Sequence, residues 1–274
     1  MMESQTTFEK KVVELKNLKQ TPQDSGPKIQ RVAEYLRNRT NLEKHYSPKL
    51  VSIGPIHHGN TNLKLGEKYK LMWAAKYIEN NGFILEDLHK KIADNIDKLK
   101  GHFDDDVLTL TGQSLEGFGS LEEKLSWMLF VDGCSLLRIL EEAKLHEPGH
   151  MNIKVDQLVL VVTDVLLVEN QLPYEVLKLL WKNDNESELI KIMTNFSDSL
   201  CSNIPVSEKE NEGKHSVSIP NELQSQKEKD MVSNKKGEEQ HSVSITNESQ
   251  SETPMHLLDL LRKFILTTSK SKVQ

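Results

Sequence analysis

Apolar residues recur every three or four positions through most of this chain, the spacing of one buried helix face. Phe8, Val12, Leu15 and Leu18 predict a short amphipathic N-terminal helix. Residues 21–28 carry two prolines and a glycine and read as a linker, and residues 29–38 add a further helical turn or two. Residues 41–62 break the pattern. Pro48, Gly54, Pro55 and Gly59 forbid a continuous helix, yet the stretch is apolar enough to predict an ordered loop held against the body. Helix resumes over 66–80, where Tyr69, Trp73 and Tyr77 are spaced by four, and Asn81-Gly82 ends it. Ile84, Leu88, Ile92 and Leu99 mark the next helix, closed by Gly101. Residues 102–119, with Asp104, Asp105, Asp106 and three glycines, read as a loop.

Ser120-Leu121-Glu122-Glu123 has the form of a capping box before an apolar run that reaches Leu140. A bend is expected at Asp132-Gly133. Residues 155–181 are the most apolar part of the chain, with Leu158, Val161, Val162, Val165, Leu166 and Leu167 on more than one face. Such a run belongs at the centre of a core. Its length predicts a helix, with a buried strand as the valine-rich alternative, and Pro173 should restart it through Tyr174, Leu177 and Trp181.

From Ser197 the composition turns to Ser, Glu, Lys, Asn and Gln. Such a segment cannot bury enough apolar surface to offset its ordering entropy, which predicts a disordered insert over 197–252. It contains a duplication: His215-Ser216-Val217-Ser218-Ile219 returns as His241-Ser242-Val243-Ser244-Ile245. Two copies without a periodic apolar core do not make a solenoid. Thr253-Pro254 then reads as a helix start, followed by Leu257, Leu258, Leu261, Phe264 and Ile265 on one face, whose partner surface is expected elsewhere. The fold class is mainly α: a multi-helix globular domain with an ordered N-terminal loop segment and a long disordered insert. Its parts are 1–28 (helix and linker), 29–196 (helical core), 197–252 (insert) and 253–274 (terminal amphipathic helix).

Composition narrows the function classes. Hydrophobic residues make up 36% of 274, a low share that the polar insert accounts for. Net charge is −6, and the lysine pairs at 90–91 and 235–236 are too short to neutralise a phosphate backbone, which argues against nucleic acid as a partner. Cys134 and Cys201 belong to no ligand pattern and read as free thiols. The N-terminus lacks the apolar region of a signal peptide, and the longest apolar stretch falls far short of the ~20 residues of a membrane span.

Candidate chemistry is sparse. His57-His58 is a pair that can ligate metal or act as a base, but zinc needs three or four ligands and none accompany it, so no metal or cofactor is expected. Imidazoles bonded to backbone groups in a loop are the plainer reading. Asp132, Asp164 and Glu169 are acids inside apolar runs, and each must face water or find a partner. They suit acid–base work with His57 or His58, or structural ion pairs with Arg138, Lys154 or a histidine; the structural reading is preferred. Phosphate-cradling and nucleophile-elbow motifs are absent, and Cys134 and Ser52 lack a recognisable base.

Three segments carry a resemblance. Ile29-Gln30-Arg31-Val32 precedes Tyr46-Ser47-Pro48-Lys49-Leu50-Val51-Ser52-Ile53-Gly54-Pro55-Ile56-His57-His58-Gly59, with Glu67 and Lys70 just after. Phe130-Val131-Asp132-Gly133-Cys134-Ser135-Leu136-Leu137 follows, then Asp164-Val165-Leu166-Leu167-Val168-Glu169-Asn170-Gln171-Leu172-Pro173. Together they resemble the plant domain of unknown function 247 family from residue 29 to 181, and faintly again at 255–264. Ala33 departs from the family's usual proline. The family's motif positions here are Ser52, Ile53, Gly54, Pro55, His57, His58, Gly59, Asp132, Gly133, Glu169, Asn170, Gln171 and Pro173, with no role attached.

The resemblance implies a plant protein without established enzymatic activity. Relatives usually end in a transmembrane segment, and a few grass relatives are implicated in pollen–stigma self-incompatibility. The expected function is therefore a non-enzymatic protein–protein interaction or recognition module with an unknown protein partner. The alternatives are an enzyme using His57 or His58 with the buried acids, and a truncated gene product. As written, the chain reads as cytoplasmic, and as membrane-associated if a longer product carries the family's anchor.

Overall fold

The computed structural model describes residues 7–18, 27–37, 45–145, 147–183, 185–201 and 253–271, with a few helix-end positions described by backbone alone. The chain divides into a unit made of Met1–Asn203 with Pro254–Gln274 and a second unit, Ile204–Thr253. The predicted disordered insert and its duplication lie outside the described residues from 202 to 252. All that follows concerns the first unit.

Its described residues form eleven α-helices and no strand, as the apolar periodicity requires. They are α1 (Thr7–Leu18), α2 (Glu34–Arg37), α3 (Lys64–Asn80), α4 (Leu85–Ala93), α5 (Ile96–Lys100), α6 (Asp105–Gly112), α7 (Leu121–Glu142), α8 (Val155–Asp164), α9 (Tyr174–Leu180), α10 (Glu186–Cys201) and α11 (Leu257–Ser271). The single extended pairing is a parallel bridge between Ile29 and Phe103.

Helix α7 is the central element, and α3, α4, α5, α9 and α10 all pack on it. Every residue from Lys124 to Leu140 except Trp127 is buried. Its start follows the predicted cap in part. Ser120 Oγ accepts the Glu123 N–H at 3.1 Å, whereas the Glu123 carboxylate reaches one residue further back than expected, to the Gly119 N–H at 2.7 Å. The helix is continuous through Asp132-Gly133. The glycine serves close approach instead: a β-carbon there would collide with Leu180 and Val176 of α9.

Helix α3 presents Gly66, Lys70, Trp73, Ala74 and Tyr77 on its buried face. Trp73 Nε1 donates to the Met151 carbonyl, and the Tyr77 hydroxyl donates to the Leu180 carbonyl. The aromatic stripe thus ties α3 to the segment before α8 and to the end of α9.

Four expectations change. Residues 105–112 are helical, because Asp104 is an N-cap whose carboxylate accepts the Asp106 N–H, and Asp105 and Asp106 sit in the dipole-favoured first turn. Residues 84–100 split into α4 and α5. The apolar run from 155 stays helical only to Asp164, and residues 165–173 turn irregularly before α9. Finally, helix α10 continues past Ser197 to Cys201.

The terminal helix finds its partner within the chain. Leu257 and Leu261 are buried, and α11 packs on α10. It starts at Leu257 rather than at Pro254, with His256 Nδ1 accepting the Asp259 N–H and Asp259 accepting the Met255 N–H.

Candidate functional site

Residues 50–56 are buried although they form no helix or strand. A buried loop backbone must still bond its N–H and C=O groups. Here the side chains of the other two motif segments supply the partners. Asp164, the last residue of α8, accepts the N–H groups of Lys49, Leu50 and Val51 at 2.9, 2.7 and 2.9 Å. Asn170 accepts the Ile53 N–H at 2.6 Å and donates to the Val51 and Asp164 carbonyls. Asp132, from α7, accepts the Gly54 N–H at 2.8 Å. Gly54 has φ +76°, and a β-carbon would press on the Gln171 carbonyl oxygen, so the motif's first glycine meets two requirements at once.

Asp132 also pairs with Lys70 Nζ at 2.5 Å, both side chains being 1% exposed. Lys70 further meets Glu67 at 3.0 Å and Ser52 Oγ at 3.3 Å, while Ser52 donates to Glu67 at 2.6 Å. Burial pushes the Lys70 ammonium down, but Asp132 and Glu67 outweigh it and hold the group above its ordinary value. Burial holds the Asp132 carboxyl above its ordinary value, with Lys70 opposing, and its two oxygens are bonded to Lys70 and to the Gly54 N–H.

Glu169, fully buried, accepts the Val32 N–H at 2.6 Å and an Arg37 guanidinium N–H at 2.9 Å. His57 Nε2 lies 3.2 Å from the same carboxylate, off the line of a good hydrogen bond. Burial opposes ionisation of Glu169, but His57, the Val32 N–H and Arg37 together hold its carboxyl below the ordinary value. Gln171 donates to the Val165 and Leu167 carbonyls and accepts the Leu258 N–H of α11. Pro173 stands at the start of α9.

The outer side of the loop borders a groove of about 590 Å³. Pro55, His58 and Gly59 of the motif line it, with Arg31, Lys64, Glu116 and Lys124. His58 Nε2 is 3.3 Å from Glu116, and Lys124 Nζ is 2.9 Å from the same side chain. The Lys124 ammonium is buried and also donates to the Thr111 and Ser114 carbonyls. Burial raises the Glu116 carboxyl, and Lys124 with His58 more than reverses this.

The three acids therefore gather beneath one loop, as partners of its backbone and of Lys70, Arg37 and His57. None of the three lines this groove. The two histidines diverge, His57 toward Glu169 and His58 toward Glu116. The suggested neutralising groups Arg138 and Lys154 take no part: Arg138 pairs with Glu142. Ser52 is fully buried, and burial pushes the buried Cys134 thiol far up, so neither is an accessible nucleophile. Among the described residues no group of three or more His, Cys, Asp or Glu is placed to hold a metal, and no helix is long and apolar enough to cross a membrane.

Periodicity alone passes over Lys70 as a site residue, yet a signal exists: a lysine on the same face as Trp73, Ala74 and Tyr77 must find a buried partner. Arg37, Glu116 and Lys124 carry no comparable signal: Arg37 meets Glu169 132 residues away, Glu116 meets His58 58 residues away, and Glu116 and Lys124 meet across the turn between α6 and α7.

The comparisons with known proteins agree with this motif set. A family described as plant protein of unknown function matches residues 29–274. A UPF0481 protein of Arabidopsis thaliana is 26% identical over 171 residues, 56% of this chain and 32% of the relative. A putative UPF0481 protein of the same plant is 31% identical over 142 residues, 48% of this chain and 23% of the relative. The matched stretches thus span about a third or less of these relatives' lengths. No solved structure matches the chain. With its three motif segments joined in one buried framework, the chain belongs to this plant family of unknown function, domain of unknown function 247, over residues 29–274.

Proposed function

We propose that the chain is a non-enzymatic recognition module for a protein partner, with its conserved-looking motifs serving as framework. One observation carries the reading: each acid suited to acid–base work is already engaged by the fold. Asp164 is bonded to three loop N–H groups, Asp132 to Lys70 and the Gly54 N–H, and Glu169 to Val32 and Arg37. A general base needs an open route to a substrate proton. These carboxylates face peptide groups instead, which supports a rigid presenting surface over a reaction centre.

The test uses tagged chain expressed in plant tissue. The same partner is expected above background in independent preparations, and its recovery should fall in Glu169→Gln, which loosens the loop without removing the fold's apolar core. Failure to recover any partner overturns the reading. So does a measured turnover that His58→Asn abolishes while the melting temperature stays unchanged, because His58 would then be a reacting group.

A further inference from the structure

The groove bordered by His58 is lined by more cationic side chains than its own carboxylates engage. Glu116 is answered by Lys124 and His58, and Glu67 by Lys70 and Ser52. Two cationic side chains on the groove remain, Arg31 and Lys64. Neither has a carboxylate partner among the described residues. Arg31 donates one N–H to the Ile56 carbonyl at 3.0 Å, but its Nε is buried without a partner. A buried donor left unbonded costs free energy and calls for an explanation.

A second orphan lies in the same groove. His58 turns Nε2 toward Glu116, which leaves Nδ1 buried and unpartnered. The carboxylate that orients His58 sits on a strained backbone: Glu116 has φ +54°, a left-handed conformation that a non-glycine residue adopts at a cost. Strain of this kind persists where surrounding contacts over-determine it, and it concentrates at ligand clamps. The groove's 590 Å³ is in the range that encloses a small molecule.

The geometry points to a binding site for a small organic acid, with a carboxylate or phosphate oxyanion between Arg31 and Lys64 and a hydroxyl donating to His58 Nδ1. A guanidinium with an open edge suits a planar or tetrahedral oxyanion, and an exposed ammonium at the mouth adds charge without fixing geometry. In the tautomer that turns Nε2–H toward Glu116, Nδ1 is an acceptor and a ligand hydroxyl supplies the hydrogen. The chain is acidic overall, with a net charge of −6, so these two cations stand against the general sign of the molecule. This site goes beyond the recognition reading and does not depend on a protein partner.

The experiment titrates purified full chain with malate, succinate and inorganic phosphate by calorimetry. Malate is expected to bind more tightly than succinate, which lacks the hydroxyl, and phosphate tests the oxyanion alone. Lys64→Gln, at an exposed position, should weaken malate and phosphate several-fold with an unchanged melting temperature. Arg31→Gln should weaken them about tenfold or more, the loss of one charge-assisted hydrogen bond. Because Arg31 also steadies Ile56, Arg31→Lys serves as a second variant that keeps the charge and should fall between the two. Absence of heat from all three acids at about 10 mM, the weak end of specific binding, overturns the proposal. So do dissociation constants that Lys64→Gln and Arg31→Gln leave unchanged. A pull-down that fails while malate binds would remove the recognition reading alone.

Discussion

Helix α7 and the loop at 50–56 are both buried, and they satisfy their backbones by opposite means. Helix α7 bonds its own N–H and C=O groups internally, so its side chains are free to be apolar, and Leu125, Leu129, Cys134 and Leu137 are fully buried. The loop has no internal ladder. Its N–H groups are bonded by Asp164, Asn170 and Asp132, borrowed from segments 78 to 117 residues away. A buried irregular segment therefore shows its cost in the rest of the sequence, as acids and amides lodged inside apolar runs. That is why acids and amides that look like chemistry in this sequence can be partners of a buried backbone.

The two modes should fail differently, and the largest effect belongs to the loop. Asp164→Ala orphans the buried N–H groups of Leu50 and Val51 at ~1–3 kcal/mol each and releases the part-buried one of Lys49, so a loss of about 5 kcal/mol is expected in urea unfolding. Asp164→Asn, which keeps one acceptor, should recover part of it. If Asp164→Ala costs no more than a typical surface substitution, the loop is not held as described.

Next is Lys70→Met. Removing one partner of the buried pair strands Asp132 and should cost about 3–5 kcal/mol. Smaller is the packing test on α7. Gly133→Val forces methyl groups against Leu180 and Val176, and overpacking of this kind costs about 1–3 kcal/mol. Calorimetric melting of these two variants side by side compares a polar lesion with an apolar one on adjacent layers.

The smallest effects are pH-dependent. The folded Glu169 carboxyl lies below its ordinary 4.5, so its contribution is present above that value and is lost as pH falls through the folded one. Stability between pH 7 and 3 should drop more steeply in the parent chain than in Glu169→Gln. Burial holds His256 below its ordinary 6.5, with Asp259 opposing and Lys263 reinforcing the shift. Its contribution is therefore present above 6.5 and lost as pH falls below it, because the unfolded chain takes up the proton first. Hydrogen exchange at 257–261 should quicken on acidification through pH 6 while α7 stays protected; equal change in both would sink the assignment.

Much of this was legible without coordinates. The spacing of Tyr69, Trp73 and Tyr77, the cap at Ser120 and the proline–glycine break at 48–59 all follow from local rules of backbone and side-chain geometry. The pairing rules for Asp132, Asp164 and Glu169 were legible too, since a buried acid demands a partner. Which partner it takes is not a local matter. The acceptors and donors meet only when α7, α8 and the loop pack together: of the expected partners, Arg138, Lys154 or a histidine, the fold brings only His57 to Glu169, and it adds Lys70, Arg37 and peptide N–H groups. The misread helix at 105–112 has a local cause instead: three aspartates look like a loop until one of them is recognised as a cap.

By itself, then, the sequence determined the helical class, the position of the ordered loop and the family, because periodicity, turn chemistry and motif strings are written in neighbouring residues. Only the tertiary structure decided which backbone N–H groups the motif acids bond, that Gly133 serves close packing on α9, that α11 closes on α10, and that Arg31 and His58 share a groove. Each of these depends on atoms far apart in the chain, whose meeting is set by how the helices bury their faces.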